Sequence, residues 1–159
     1  MIRAIKLFHI VTAAIVLGAD VTLLTLGIAA LGPMSPPELY VAAHLIVHWL
    51  LGPMALAALV SGLLLARQLH YPLIRTKWVA TKLAITAFLT TLVYVALEPG
   101  LAAVVAKATH DAGEALSEAI RWRYALVPAA SSALLVLNVA LAVLNARSTS
   151  GQQRRGGVS

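Results

Sequence analysis

Seven polar residues stand inside otherwise apolar sequence: His9, Asp20, His44, His48, Lys82, Glu98 and Asn138. Neutral imidazole is a ligand for metal ions and haem iron, a carboxylate binds cations or protons, and lysine pairs with anionic groups. His44 and His48 are four positions apart, which on a helix sets both rings on one face. That is the geometry by which one helix offers two nitrogen ligands to one metal ion. His70 and His110 fall in polar connecting sequence and carry no signal of their own. Cysteine is absent, which excludes disulfides, thiolate metal sites, iron–sulfur clusters and cysteine nucleophiles. No glycine-rich phosphate loop is present, so nucleotide chemistry has no support.

The elements that must position these groups follow from composition. Of 159 residues 60% are hydrophobic and 11% charged, and mean hydropathy is +0.88, whereas a soluble domain is roughly a quarter charged. The expected fold is all-α, a polytopic membrane protein with the lipid bilayer as its solvent and four spans in one bundle. The apolar runs predict helices over about 4–31, 39–65, 78–105 and 124–144, forming one domain over 1–147. Gly32-Pro33-Met34-Ser35-Pro36-Pro37 ends the first as a turn, and Pro53 should bend the second near His44 and His48. The first run is about twice a signal peptide's usual apolar length and contains Asp20, so it is expected to be a retained helix. Residues 148–159 are rich in Gly, Ser, Gln and Arg and predict a disordered basic tail.

The net charge of +6 would raise nucleic acid as a partner in a soluble protein. Here the basic residues gather at span ends and in the tail, which reads as topology and not as nucleic-acid binding. Arg3 and Lys6, then Arg67, Arg75 and Lys77, then Arg147, Arg154 and Arg155 lie at one end, while the connection between the first two spans has no Lys or Arg. Both termini are therefore expected in the cytoplasm. The third connection is mixed, with Lys107, Asp111, Glu114, Glu118, Arg121 and Arg123, and residues 111–120 have the spacing of a short interfacial helix.

An ionisable group inside a span costs about 2.5–3.5 kcal/mol or more on insertion scales, so each is a candidate for function. His9 and Lys82 each lie about one turn into a span from the cytoplasmic side and can share a level. His44, His48, Asp20 and Glu98 fall toward the opposite side and could form a second group. Each has a plainer reading. His9 can bond a backbone carbonyl, Lys82 can snorkel to the headgroups, and His44 can sit at the interface near Tyr40. Glu98, before Pro99-Gly100, can mark a helix end, and Asn138 can be interhelical glue. Asp20 is the hardest to explain away: it needs a histidine, a cation or a retained proton. Small residues, among them Ala13, Gly18, Ala57, Ser61, Gly62, Ser131 and Ser132, mark close helix packing.

Three local motifs carry a family resemblance. Ile5-Lys6-Leu7-Phe8-His9-Ile10-Val11 opens the first span, Pro53-Met54 precedes Gly62 in the second, and Trp78-x-x-x-Lys82-Leu83 opens the third. Over about residues 4–100 the chain resembles a superfamily of small four-helix bacterial membrane proteins. It includes the haem-binding membrane protoporphyrinogen oxidases, the copper-resistance D type proteins and related integral membrane proteins. The resemblance implies a multi-pass protein of the bacterial inner membrane, with haem b on His9 and Lys82 as partner for substrate or propionate. The oxidases carry a tryptophan in mid-helix one and a second histidine near its end. This chain has Ile15-Val16-Leu17-Gly18-Ala19-Asp20 and Ala30 there instead, and Asp20, His44 and His48 are its own additions.

The leading expectation is a b-type haem protein with a redox or electron-transfer role, possessing an axial histidine among His9, His44 and His48 and using Lys82 and Asp20 in its chemistry. A quinone or porphyrin would be its small-molecule partner. A second is a transporter-like protein with Asp20, His44, His48 and Glu98 around a divalent metal ion or protons, His9 being a further metal-ligand candidate. A third is a structural or assembly subunit, bound to other subunits or to its own copy.

Overall fold

The computed structural model describes residues 2–32, 37–68, 77–110 and 117–155, and side chains over 2–32, 37–68, 79–107 and 117–141. Among the described residues there is no strand. The elements are α1 (Ile2–Ala29), α2 (Pro37–Ile46), a π-turn (Val47–Leu51), α3 (Gly52–Gln68), α4 (Lys77–Leu92), a second π-turn (Val93–Leu97), α5 (Glu98–His110) and α6 (Glu118–Arg155). They make four helices long and apolar enough to cross a membrane: Ile2–Ala29, Pro37–Gln68, Val79–Lys107 and Glu118–Leu141. These four candidate spans match the expected ones, the fourth starting earlier than about residue 124. The expected turn at Pro33–Pro36, the residues His70, Arg75, Asp111 and Glu114, and most of the expected interfacial helix lie outside the described residues. The helix α6 continues to Arg155, so residues 148–155, whose composition predicts disorder, are helical; extending a formed helix costs little per residue.

Tyr40, Val47 and Leu101 are fully buried, and Ala19, Ala30, Ala43, Ala55, Ala58 and Ala66 are buried beside them, while Leu7, Phe8, Trp49, Phe88 and Val95 face outward. In water that arrangement would waste hydrophobic surface. In lipid large apolar residues lose nothing outside, and small residues let helices approach closely. On α1 the buried residues Thr12, Val16, Ala19, Asp20, Leu23 and Gly27 recur at three- and four-residue steps, the stripe of one helix face. That face packs between α3 and α6, while α2 packs on α5 and α3 on α4.

Among the described glycines the tightest contact is at Gly27. A Cβ there would run into the backbone of Tyr124 and Ala125. Pro128, one turn beyond Tyr124, has no N–H to give the Tyr124 carbonyl, and Gly27 lets α1 close over that carbonyl. Nearby, Tyr124 meets Tyr40 edge-on at 5.9 Å between ring centroids. Arg121 Nη1 donates to the Gly32 carbonyl at 3.2 Å, satisfying backbone at the end of α1 that the helix itself leaves open.

Candidate metal centre

Two prolines shape the second and third spans in the same way. Gly52 N–H donates to the Val47 carbonyl just before Pro53, and Glu98 N–H donates to the Val93 carbonyl just before Pro99. A proline ring collides with the carbonyl four residues back and brings no N–H. Widening the preceding turn to the i→i−5 pattern relieves the collision without ending the helix. π-turns of this kind concentrate at functional sites. Here the two face each other across the second and third spans. His48 lies within the first π-turn, and Glu98 is the residue that ends the second.

His48 Nδ1–H donates to Glu98 Oε1 at 3.2 Å. His44 Nε2 lies 3.5 Å from the same oxygen. Its geometry makes no hydrogen bond, and the atom is buried without a hydrogen-bond partner. Possible ligand atoms of all three residues lie within 4.8 Å of one another. A tetrahedral ion bound at about 2.0–2.2 Å holds its ligands about 3.3–3.6 Å apart, so the contacts to Glu98 already have nearly the span of a coordination edge. The two imidazole rings are 5.9 Å apart between centroids. The side chains are 25% exposed at His44, 29% at Glu98 and 49% at His48, so the cluster opens on the outer face of the bundle, beside the exposed ring of Trp49.

The expected group of four is thus three. Asp20 is not in it, because the α1 stripe that carries Asp20 faces α6. Its Oδ1 accepts from Ser131 Oγ at 2.7 Å and its Oδ2 from Ser132 Oγ at 2.5 Å. His9 is elsewhere too: its Nδ1–H is shared between the Ala58 carbonyl at 3.1 Å and Ser61 Oγ at 3.0 Å. Gly62 makes room for the ring, since a Cβ there would lie 3.1 Å from His9 Cε1. His9 therefore turns toward the second span, and Lys82 forms no ion pair among the described residues. One turn beyond Lys82, Thr86 Oγ1 accepts from Asn138 Nδ2 at 3.1 Å, tying the third span to the fourth.

Sequence reasoning underrated Glu98 and the two serines. Glu98 reads as a helix end because Pro99-Gly100 follows it, yet the helix runs on to His110. The signal was available: Val-x-x-x-Leu-x-Pro occurs at Val47, Leu51 and Pro53 and again at Val93, Leu97 and Pro99. Two equal proline-terminated turns in neighbouring helices put Glu98 level with His48. Ser131 and Ser132 read as small packing residues, although a buried carboxylate needs donors and serine supplies them. No protein-family model matches the chain, and neither a curated protein nor a solved structure matches it.

Proposed function

We propose that this chain is a multi-pass membrane protein that binds a divalent transition-metal ion between its second and third spans through His44, His48 and Glu98. The observation that carries this reading is the convergence of three ligand atoms, from two helices, within 4.8 Å. Two imidazoles and a carboxylate form a nitrogen-rich set that suits zinc, copper, nickel or iron better than magnesium or calcium. Three protein ligands leave a coordination position open. His48 is the most exposed of the three ligands, on the outer surface of the bundle. The charge pattern places both termini in the cytoplasm, which puts the site in the half of the membrane away from it. The resemblance of its three motifs supports the bacterial inner membrane as its location.

The test is equilibrium dialysis of the full-length protein in lipid nanodiscs against Zn²⁺, Cu²⁺ and Ni²⁺, with bound metal counted by mass spectrometry. About one ion per chain is expected, with release on acidification, because the imidazoles and the carboxylate must shed protons to bind. No binding above that of a His44→Ala/His48→Ala/Glu98→Gln variant sinks the reading.

A second reading keeps haem b, with His9 as axial ligand. Its support is that Nδ1–H is held by the Ala58 carbonyl, which leaves Nε2 as the ring's lone-pair nitrogen, the way ligand histidines are oriented. An apolar groove of about 610 Å³ runs beside it, past Phe8, Pro53 and Ser61, without His9 in its lining. A Soret band in haem-replete preparations, lost in His9→Ala, is its expected outcome. Absence of the band in the wild type removes it.

A further inference from the structure

The apolar groove of about 610 Å³ lies between the first and second spans and opens to the outside of the bundle. Small lining residues, Ala4 and Ala57, leave the trough, and Phe8, Leu56 and Val60 beside them are about half exposed. Left unfilled, such a space forfeits dispersion contacts along its whole lining, so in a bilayer hydrocarbon enters it. From Pro53 to Leu64 the groove extends about 16 Å along α3. That is about half of the roughly 30 Å hydrocarbon core, the depth of one leaflet. The groove therefore has the reach of a lipid acyl chain from one side of the membrane.

Charge then selects the lipid. Val60, Leu64 and Arg67 follow at steps of four and three, so exposed Arg67 stands at the end of the groove on the same helix face. Arg3 and Lys6, both exposed, stand at that end of α1. None of the chain's six acidic residues falls within 1–19, 39–97 or 119–159, and among the described residues Arg67 forms no ion pair. This end of the groove thus presents positive charge without a carboxylate side chain to answer it, on the side that the charge pattern assigns to the cytoplasm. Gln68, one turn past Leu64, keeps a buried amide oxygen with no hydrogen-bond partner among the described residues. A phosphodiester supplies the anion for arginine, and a glycerol headgroup supplies hydroxyl donors for the amide. We infer that the groove binds one anionic phospholipid of the phosphatidylglycerol type, with an acyl chain between α1 and α3 and its phosphate at Arg67. The site is independent of the metal-ligand cluster.

The test is native mass spectrometry of the purified full-length protein, titrated with phosphatidylglycerol or with phosphatidylcholine of the same acyl chains. The wild type should retain about one phosphatidylglycerol per chain, at least about tenfold more tightly than phosphatidylcholine, and the preference should shrink as salt rises. Arg67→Ala should weaken phosphatidylglycerol about fivefold, the effect of one basic residue at an anionic lipid surface. Ala57→Phe, which fills the groove, should weaken both lipids, and Arg123→Ala, at the other end of the bundle, should change neither. Equal affinity of the wild type for the two lipids, or undiminished phosphatidylglycerol binding in both Arg67→Ala and Ala57→Phe, overturns the proposal. The wild-type comparison stands even if a variant fails to fold.

Discussion

The seam between the second and third spans and the contact between the first and fourth treat a carboxylate in opposite ways. Glu98 is partly exposed and shares one oxygen between two histidines, one of which makes no hydrogen bond. Asp20 is buried, and each of its oxygens has its own hydroxyl donor. The seam is built on two widened turns, whereas the Asp20 contact lies on a helix face continuous with the close contact at Gly27. An open, incompletely bonded cluster has ligand atoms left to offer. A closed, bonded one couples two helices.

The comparison can be broken by moving the two properties independently. Glu98→Gln keeps the shape but removes the anionic ligand. Since losing even an outer partner of a metal ligand costs 10–100-fold in affinity, at least about a 100-fold loss of Zn²⁺ affinity is expected, with melting temperature nearly unchanged. Asp20→Asn should leave Zn²⁺ affinity within about twofold; sites without shared partners behave additively. Next in size, Gly27→Val drives a side chain into the backbone of Tyr124 and Ala125. Overpacking of this kind costs about 1–3 kcal/mol, measurable as a lowered unfolding midpoint, and the seam should keep its metal. The double change Pro53→Ala/Pro99→Ala lets both turns tighten to α-helix and shifts His48 against Glu98. A loss of about tenfold in Zn²⁺ affinity, or about 1.4 kcal/mol, is expected, and unchanged affinity would show that the π-turns do not position the ligands. The smallest effect is at Ser61→Ala, which removes a partner of His9. Interhelical hydrogen bonds in membrane proteins average about 0.6 kcal/mol, and the unfolding midpoint should fall accordingly.

Much of the architecture was legible in the sequence because the lipid constraint is severe: an apolar run of sufficient length has few alternatives to a helix. The shared face of His44 and His48 was legible for a similar reason, since four-residue spacing fixes it locally. Partnerships between spans were not. Whether Asp20 meets His44 or Ser131 depends on which face of α1 packs on which neighbour, and α1 is apolar nearly all round, so its sequence marks that face only weakly. Glu98 was hidden by a rule that fails in this setting. Proline and glycine stop helices in water, but here neighbouring helices hold the chain, and a single widened turn absorbs Pro99.

The most direct test of the metal centre is X-ray absorption at the zinc edge on protein in nanodiscs loaded with one equivalent of Zn²⁺. The expected spectrum shows nitrogen and oxygen ligands alone at about 2.0–2.2 Å, with multiple scattering from two imidazoles that falls to one in His48→Ala. A spectrum of hydrated zinc, or one unaltered by substitution at His44, His48 and Glu98 together, would contradict the assignment.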